Sequence, residues 1–516
     1  MAARSVAIVT LLTLLAAAPS FAQPNQDGSP AGIEATSMSM KAVLARYHAA
    51  VGSVTPASVE DWKIDELGMS GALHVIAAGG NYRQIETLGP FHYERGRFEG
   101  QAWRQNANGL TLLLAADRGR EPIGVESVRF AADAPGLRML GETDTSYVAQ
   151  IDSVGGPTEW LFFGKASGLL ERLETREGER RFVLTLEDYR VTGSERRPWH
   201  MHASDGRPEN DIDWRLLRLR APALVRQDDL DVPPNARPLV EFPAGTSRVS
   251  LPAQFVDGYV VVSASVNGLD LNFLLDSGCS DISLDSAVTE RLRLPGYGHS
   301  SQSAAGPFVQ TQTIVPELQL GALRLHSVTA SSLPLAFETS TKTHVDGLLG
   351  FDFFANAVVH VDYEAGRVEA IDRDEFDPKQ IPGAIALPVT LDEGVPLVGV
   401  RVGSTASGRF IIDSGATDVC SSPALRSDTP MTSRIVAKGA PSTRALRLFS
   451  GKASEASCAW SRPNCGASFS RARVSPASSA FEPTAKPNST VTATTASSAS
   501  RFSSTTTSTT TTPIRA

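Results

Sequence analysis

Two Asp-Ser-Gly tripeptides place a carboxylate where it could do chemistry. Asp276 follows the apolar run Phe273–Leu275, and Asp413 follows Phe410–Ile412. A short apolar run predicts a buried strand, and the Ser-Gly pair predicts a tight turn at its end. Such a turn on a rigid strand holds its carboxylate in one position. Two carboxylates that face each other across one water could hydrolyse an amide bond, one as general base and the other as general acid.

The sequence around the two aspartates is repeated, with an offset that is constant to within one residue. The matching residues are Leu251, Pro252, Gly258 and Val262 before the first aspartate, and Leu387, Pro388, Gly394 and Val398 before the second. A single Asp-Ser-Gly would indicate only an ordinary strand-ending turn. A repeat of this length instead predicts a duplicated structural unit.

A third segment strengthens this interpretation. Downstream of Asp276 the chain contains two apolar residues between glycines, namely Gly347, Leu348, Leu349 and Gly350. With the two Asp-Ser-Gly turns, this segment resembles the signatures of retropepsin-like and pepsin-like aspartic proteases over residues 248–421. The resemblance implies that Asp276 and Asp413 are the catalytic pair and that residues 347–350 brace the first catalytic turn. It also implies a substrate-covering flap whose tip contains Ala305 and Gly306.

The residues after each aspartate suit this role. Gly278 and Gly415 allow the tight turn and let a backbone amide face the carboxylate. Ser277 and Ser414 stand where the family more commonly has threonine, and a serine hydroxyl can also hydrogen-bond across to the opposite turn. Two carboxylates about 3 Å apart cannot both ionise easily, so the pair is expected to share one proton.

The expected function is an aspartic-type endopeptidase that acts on a peptide or protein substrate without a metal or other cofactor. His200 and His202 could share a strand face and bind a metal together with Asp205, but with no further ligand the favoured interpretation is that they are ordinary strand-face histidines. The alternative function is a non-catalytic periplasmic carrier or binding protein with inactive protease-like lobes.

Composition limits the function classes. The chain has 516 residues, 41% of them apolar, and a formal charge of −8, which gives no indication of nucleic-acid binding. Its length allows two to four domains. The predicted segments are a signal peptide at 1–22, a linker at 23–37, a β-rich domain at 38–220, a linker at 221–246, a first protease lobe at 247–373, the start of a second lobe at 384–421, and a low-complexity, disordered tail at 422–516.

The first residues predict export. Arg4, the apolar run Val6–Ala18 and the small residue Ala22 form the three regions of a secretory signal, and the apolar run is too short to cross a bilayer. No later stretch is long enough to span a membrane, so the mature protein is expected to be periplasmic or secreted. The four cysteines do not form a disulfide framework and are interpreted as structural or incidental.

The predicted fold is mainly β. Ser39–Val51 has helical spacing of apolar residues, and the segment that follows, to about Leu219, alternates strands with turns. One helix that leads into a long run of antiparallel strands resembles the half-barrel of periplasmic lipoprotein carriers, whose ligand here could be a lipid, a peptide or none. A retropepsin-like β-barrel lobe and an incomplete second lobe are expected to follow.

The second lobe is predicted to be incomplete because the sequence changes character after Ser421. A second apolar-apolar-Gly segment is expected near residue 484, where the chain reads Thr484-Ala485-Lys486-Pro487, and the C-terminal residues are rich in Ser and Thr. The tail is either a mucin-like stalk or the product of a frameshift. Without a brace, Asp413 is not expected to be held in catalytic geometry. Activity would then require a homodimer in which Asp276 faces its own copy.

Overall fold

The structure is a computed structural model, and it describes part of the chain. The described residues are 29–54, 57–114, 136–152, 158–177, 180–221, 225–303, 307–335, 337, 339, 342–381, 383–392, 394–402, 406–416 and 471–472. The predicted signal peptide, the flap-tip residues 304–306 and nearly all of the predicted tail lie outside these ranges. The described part is mainly β, as predicted. None of its helices is long and apolar enough to cross a membrane.

Residues 57–220 form what we call the N-terminal sheet, with thirteen antiparallel strands among the described residues. Its strands are β1 Ala57–Glu66, β2 Met69–Ala78, β3 Asn81–Leu88, β4 Phe91–Phe98, β5 Gln101–Gln105, β6 Thr111–Leu113, β7 Leu137–Glu142, β8 Ser146–Asp152, β9 Thr158–Gly164, β10 Leu170–Glu177, β11 Arg180–Thr192, β12 Glu195–Ser204 and β13 Ile212–Arg220. Consecutive strands pair from β1 to β6 and from β7 to β13, and β1 also pairs with β13, so that the sheet runs from β6 through β1 and β13 to β7.

A leading helix covers one face of the N-terminal sheet. Helix α1, Met40–Val51, begins after Ser39, whose Oγ accepts from the Ala42 amide at 3.2 Å, and ends at Gly52. Its buried face packs with Trp62 and Trp214 in one apolar cluster. Alternate residues of β1 are buried, as expected for a strand with one face against the core. The helix and the sheet therefore share a core, as the sequence predicts.

What we call the first lobe follows, and most of its strands join one nine-stranded sheet within the described part of the chain. Its elements are β14 Val240–Glu241, β15 Arg248–Leu251, β16 Ala253–Val256, β17 Tyr259–Val266, β18 Leu269–Leu275, β19 Ser283–Asp285, α2 Ser286–Arg291, β20 Tyr297–Ser303, β21 Pro307–Leu320, β22 Leu323–Leu333, β23 Gly347–Leu349, α3 Phe351–Asn356, β24 Val358–Asp362 and β25 Arg367–Ile371. Strands β15, β25 and β24 form a separate small sheet.

The first lobe has turns inside two predicted strands. The run Leu318–Leu325 is predicted as one strand, but β21 ends at Leu320 and β22 begins at Leu323. The sequence predicts a single strand over Val256–Val266, but the structure divides it into β16 and β17. Asp257 and Gly258 both have positive φ, at 54° and 86°, which makes a tight hairpin turn between the strands. The helix α3 and the strand β25 have the predicted bounds.

What we call the second lobe consists of β26 Val389–Asp392, β27 Val395–Val402, β28 Ala406–Ile412 and β29 Arg471–Ala472. Strands β27 and β28 pair antiparallel, as β17 and β18 do in the first lobe. Each of these hairpins ends directly at one of the Asp-Ser-Gly turns. The segment between the N-terminal sheet and the first lobe is also partly packed, because Leu239 and Val240 are buried and β14 pairs with β22.

Candidate active site

Both Asp-Ser-Gly turns stand at the end of a buried strand. Strand β18 ends at Leu275, whose side chain is fully buried, and Asp276 is the next residue. Strand β28 ends at Ile412, directly before Asp413. Buried apolar side chains on these strands fix the backbone that carries each carboxylate. Asp276 and Asp413 are themselves buried, with 3% and 5% of their surface exposed.

The two turns are joined through their serines. Ser277 Oγ donates to the Ile412 carbonyl at 2.9 Å and accepts from the Ser414 amide at 3.0 Å. In the reciprocal pair, Ser414 Oγ donates to the Leu275 carbonyl at 2.8 Å and accepts from the Ser277 amide at 3.0 Å. Each hydroxyl uses its donor and one acceptor lone pair in this way. Neither turn can move without breaking hydrogen bonds to the other.

The glycines of both turns bring the backbone close to the carboxylates. The Gly278 amide donates to Asp276 Oδ1 at 3.0 Å, and the Gly415 amide donates to Asp413 Oδ1 at 2.9 Å. Gly415 also lies against the other aspartate, since a Cβ atom on it would be 2.6 Å from Asp276 Cγ. A side chain at this position would collide with the carboxylate, so only glycine fits. The structure thus brings Asp276 and Asp413 to one place.

The expectation that the Asp413 turn is not held is wrong for the described residues. That expectation assumed that the second turn depends on a downstream brace, whereas the serine hydrogen bonds from the first lobe hold it directly. In addition, β29 pairs in parallel with Ile411 and Ile412. Residues 484–487, where the second brace is predicted, lie outside the described residues. Because one chain supplies both turns, Asp413 occupies the place that a second copy would take in a homodimer.

The segment predicted as a brace lies beside the first turn. Strand β23 pairs in parallel with β18, and the Asp276 amide donates to the Leu349 carbonyl at 3.1 Å. A Cβ atom on Gly347 would lie 2.4 Å from Phe273 Cε1, and one on Gly350 would lie 1.9 Å from the Asp281 carbonyl oxygen. Both glycines are therefore required for β23 to pass this close to β18 and the Asp276 turn. Leu348 and Leu349 lie between the two glycines.

The predicted flap tip cannot be placed, because Ala305 and Gly306 lie outside the described residues. The strands on either side, β20 and β21, pair as a hairpin from Tyr297 to Ser303. The outer edge of β20 contacts the N-terminal sheet and its loops. The Asn210 side-chain amide accepts from the Ser301 N–H at 2.9 Å and donates to the Ser301 carbonyl at 3.2 Å. The N-terminal sheet therefore holds the hairpin by its edge strand.

The histidines considered as metal ligands are paired with carboxylates. His200 contacts Asp213 at 2.5 Å and Glu187 at 3.0 Å, and His202 lies 3.5 Å from Asp211. Asp205 points elsewhere and accepts from the Asn210 side-chain amide at 3.0 Å. Within the described ranges no group of three or more His, Cys, Asp or Glu residues is arranged to hold a metal ion.

Sequence reasoning missed a buried carboxyl next to the site, Asp352, and the residues that contact it. Asn106 and Asn108, in the turn between β5 and β6, donate to Asp352 at 2.6 Å and 2.7 Å. Burial, with a smaller contribution from the charge of Asp281, raises the pKa of Asp352 to about 7. No local signal marks the two asparagines, because a polar turn in a β-rich segment is ordinary and the lobe they contact lies far along the chain.

The comparisons with known proteins agree with an aspartic-protease-like region. The pattern of the family described as "Aspartyl protease" matches residues 262–353, which include Asp276 and the segment 347–350 but end before Asp413. This region is therefore aspartyl-protease-like. No curated protein matches the chain in sequence.

Several solved structures are similar to parts of the chain. A LolA superfamily protein from Nitrosomonas europaea is 13% identical with a TM-score of 0.28, and the match covers 37% of this chain and 96% of that chain. A retropepsin-like aspartic protease from Rickettsia conorii is 17% identical with a TM-score of 0.19, and the match covers 25% of this chain and 92% of that chain. The Pseudomonas aeruginosa MucA/MucB complex is 11% identical with a TM-score of 0.18, covering 60% of this chain and 97% of that chain. Because these TM-scores are low, we base no functional conclusion on the likenesses.

Proposed function

We propose that the protein is an aspartic-type endopeptidase whose catalytic pair, Asp276 and Asp413, comes from one chain. The observation that supports this most is the reciprocal hydrogen bonding of Ser277 and Ser414, which joins the two turns. Ordinary strand-ending turns have no reason to meet in this way. The pair needs no metal or organic cofactor, since the two carboxyl groups supply both proton-transfer roles.

The proposed mechanism follows from the proximity of two carboxyl groups. Since two neighbouring carboxylates repel each other, one member of the pair keeps a proton while the other is ionised. The ionised member takes a proton from a water molecule as this water attacks the substrate carbonyl. The protonated member donates to the carbonyl oxygen, and the resulting tetrahedral intermediate breaks down as the amide nitrogen is protonated. The buried strands hold both carboxyl groups in position during these proton transfers.

The proposed substrate is a peptide or protein outside the cytoplasm. Export rests on the predicted secretory signal at residues 1–22, in which Val6–Ala18 is the apolar segment. An extended peptide would enter the region bounded by the two turns and the β20–β21 hairpin. The proposed alternative, a binding protein with inactive lobes, uses the same surfaces without turnover.

Substitution of each aspartate tests the proposed function. We expect Asp276→Asn and Asp413→Asn each to lower the cleavage rate of fluorescein-labelled casein by about 10²–10⁴-fold, because each removes one proton-transfer group. The double variant should be little worse than either single variant, since the two groups act as a unit. The matched control is Asp270→Asn, an exposed aspartate on the same strand β18, which should leave the rate unchanged.

Inhibitor binding separates the two proposed functions. A pepstatin-type transition-state mimic should bind the parent protein and should bind both single variants much more weakly. Substantial cleavage by either single variant would refute the assignment of the pair. A parent protein that neither cleaves casein at acidic to neutral pH nor binds the mimic would instead support the non-catalytic alternative.

A further inference from the structure

The first residues of helix α3 hydrogen-bond to the backbone directly after the Asp276 turn. The Phe351 amide donates to the Cys279 carbonyl at 2.7 Å, and the Asp352 amide donates to the Ser280 carbonyl at 3.2 Å. Cys279 and Ser280 directly continue the turn that begins at Asp276. A displacement of α3 would therefore pull on the backbone that carries the Asp276 carboxylate.

The N-terminal sheet in turn holds α3 through the Asp352 side chain. Asn106 Nδ2 donates to Asp352 Oδ1 at 2.6 Å, and Asn108 Nδ2 donates to Asp352 Oδ2 at 2.7 Å. Both carboxyl oxygens are thus engaged, and Asp352 is only 2% exposed. A buried carboxyl group that loses these donors would lose hydrogen bonds that offset its desolvation.

The two asparagines are themselves fixed by the oxygens of their side chains. Asn106 Oδ1 accepts from the amides of Asn108 and Leu110, both at 3.1 Å, which closes the turn between β5 and β6. Asn108 Oδ1 accepts from the Thr329 amide at 2.8 Å, and Asn108 Nδ2 also donates to the Thr329 carbonyl at 2.9 Å. The turn therefore meets Asp352 as a pre-organised pair of donors.

Apolar contacts support the same junction. Leu110 and Leu112, at the β5–β6 turn, are buried in one cluster with Phe351 and Ala355 of α3, and Leu391 of the second lobe packs against that cluster. Arg104 of β5 also reaches this point, because a Cβ atom on Gly394 would lie 3.5 Å from Arg104 Nη2. The β5–β6 hairpin thus contacts both lobes.

We propose that Asn106 and Asn108 are positioning residues for the peptidase, which act through Asp352 and α3 to fix the Asp276 turn. This inference rests on the proposed function for its catalytic consequence, although the positioning itself is a property of the fold. The N-terminal sheet then supports the catalytic turn of the first lobe and is not a separate binding module. Burial raises the pKa of Asp352, while the hydrogen bonds from the two asparagines lower it and favour the ionised group.

A reciprocal exchange of side chains tests the contact itself. Asn106→Asp alone places two carboxyl groups face to face, and Asp352→Asn alone places two amide NH₂ groups face to face. The double variant Asn106→Asp/Asp352→Asn restores a donor opposite an acceptor, while Asn108 can still donate to the new amide oxygen and keeps its bonds to Thr329. A double-mutant cycle of this kind separates the interaction from the structural effect of each substitution.

Two measurements on the full chain are required. The first is hydrogen–deuterium exchange of the amides of Asp276–Ser280, which reports the position of the turn without needing activity. We expect each single variant to speed this exchange roughly tenfold and the double variant to restore most of the protection. The second is casein cleavage, for which each single variant should lower kcat about 10–100-fold with less than about a threefold change in KM, and the double variant should recover most of the rate.

The control is Asn81→Asp, at the first residue of β3, where Asn81 Oδ1 accepts from the Glu99 amide at 2.9 Å, at the opposite end of β5 from the junction. It should change neither measurement.

If the exchange cycle shows rescue while the parent protein cleaves no casein, the positioning stands and the proposed function fails. If the parent protein is active but the double variant rescues neither exchange nor rate, the positioning is overturned and the proposed function stands. Uniformly faster exchange in all variants would also overturn it, since the substitutions would then act only by unfolding the protein.

Discussion

At the scale of single residues, the two serines decide whether the site exists. Each hydroxyl pairs with one N–H and one C=O of the opposite turn, which lie in a part-buried region and would otherwise lose these partners. Leaving such backbone groups without partners costs free energy, so the two hydroxyls stabilise the contact between the turns. Threonine carries the same hydroxyl on a stiffer side chain and should serve equally well.

Removal of one hydroxyl should therefore weaken both turns at once. We expect Ser277→Ala to lower the free energy of unfolding by about 1–3 kcal/mol, because the Ser414 amide and the Ile412 carbonyl lose their partners. Casein cleavage should fall as well, while Ser277→Thr should resemble the parent protein in both properties. Urea denaturation followed by far-UV circular dichroism gives the comparison. An alanine variant as stable as the parent protein would mean that the two turns do not meet in solution.

Sequence reasoning reached these residues because their signal is local. An apolar run before Asp-Ser-Gly marks a buried strand with a turn, so Asp276 and Asp413 could be named without a structure, and the structure brings them together. Their catalytic role stays a proposal. Asn106, Asn108 and Asp352 could not be found in this way, because an asparagine in a turn and an aspartate in a short helix have no special meaning until the fold brings them into contact.

At the scale of elements, the close passage of β23 beside β18 depends on two glycines. Gly350 has an ordinary φ of −83°, so it is not chosen for an unusual backbone conformation. It is required by space, since an added Cβ would lie 1.9 Å from the Asp281 carbonyl oxygen and 2.8 Å from that of Cys279. Both of these atoms are backbone and cannot rotate away. The same residue also starts α3, so the element boundary and the site share one constraint.

We expect Gly350→Ala to disrupt the first lobe. The alanine Cβ would force β23 and the Asp276 turn apart, which should cost about 3 kcal/mol or more, in the range of severe overpacking. The matched control is Gly399→Ala on β27, where an added Cβ meets nothing within 4 Å. Thermal unfolding should show a large drop in Tm for the first variant and almost none for the second. Equal melting of the two variants would mean that residues 347–350 form a surface loop.

Element prediction was least successful where strands carry charge. Sequence reasoning treated His200 and His202 as strand residues but did not extend that strand to the charged residues Glu195 and Arg197, with which β12 begins. The structure buries Arg197 against Glu60 at 2.7 Å, with 5% and 0% of their side chains exposed. Such an ion pair is acceptable in a core only when another strand of the sheet supplies the opposite charge. A single sequence cannot show that pairing.

At the scale of the whole molecule, the N-terminal sheet and the first lobe are joined at more than one place. Besides the Asp352 junction, Tyr93 donates to Gln312 Oε1 at 2.8 Å, and the rings of Phe91 and Tyr297 meet edge to face with centroids 5.5 Å apart. These contacts place the β20–β21 hairpin between the sheet and the rest of the first lobe. The length and composition of the chain indicated several domains but could not indicate that they share buried polar contacts.

The contact between Asn210 and Ser301 gives the last prediction. Asn210 is fully buried, and its amide pairs with both backbone groups of Ser301 much as a neighbouring strand would, while Asp205 orients it through a 3.0 Å hydrogen bond. Asn210→Ala would leave the Ser301 N–H without a partner, at a cost of about 1–3 kcal/mol. Hydrogen–deuterium exchange in β20 should therefore become roughly tenfold faster, while β2 and β3 keep their protection. Asn81→Ala removes a side-chain amide that likewise accepts from a backbone N–H, that of Glu99, and should leave the exchange of β20 unchanged. If β20 exchanges at the parental rate in the Asn210 variant, the hairpin is held from within the first lobe alone, and the N-terminal sheet only lies beside it.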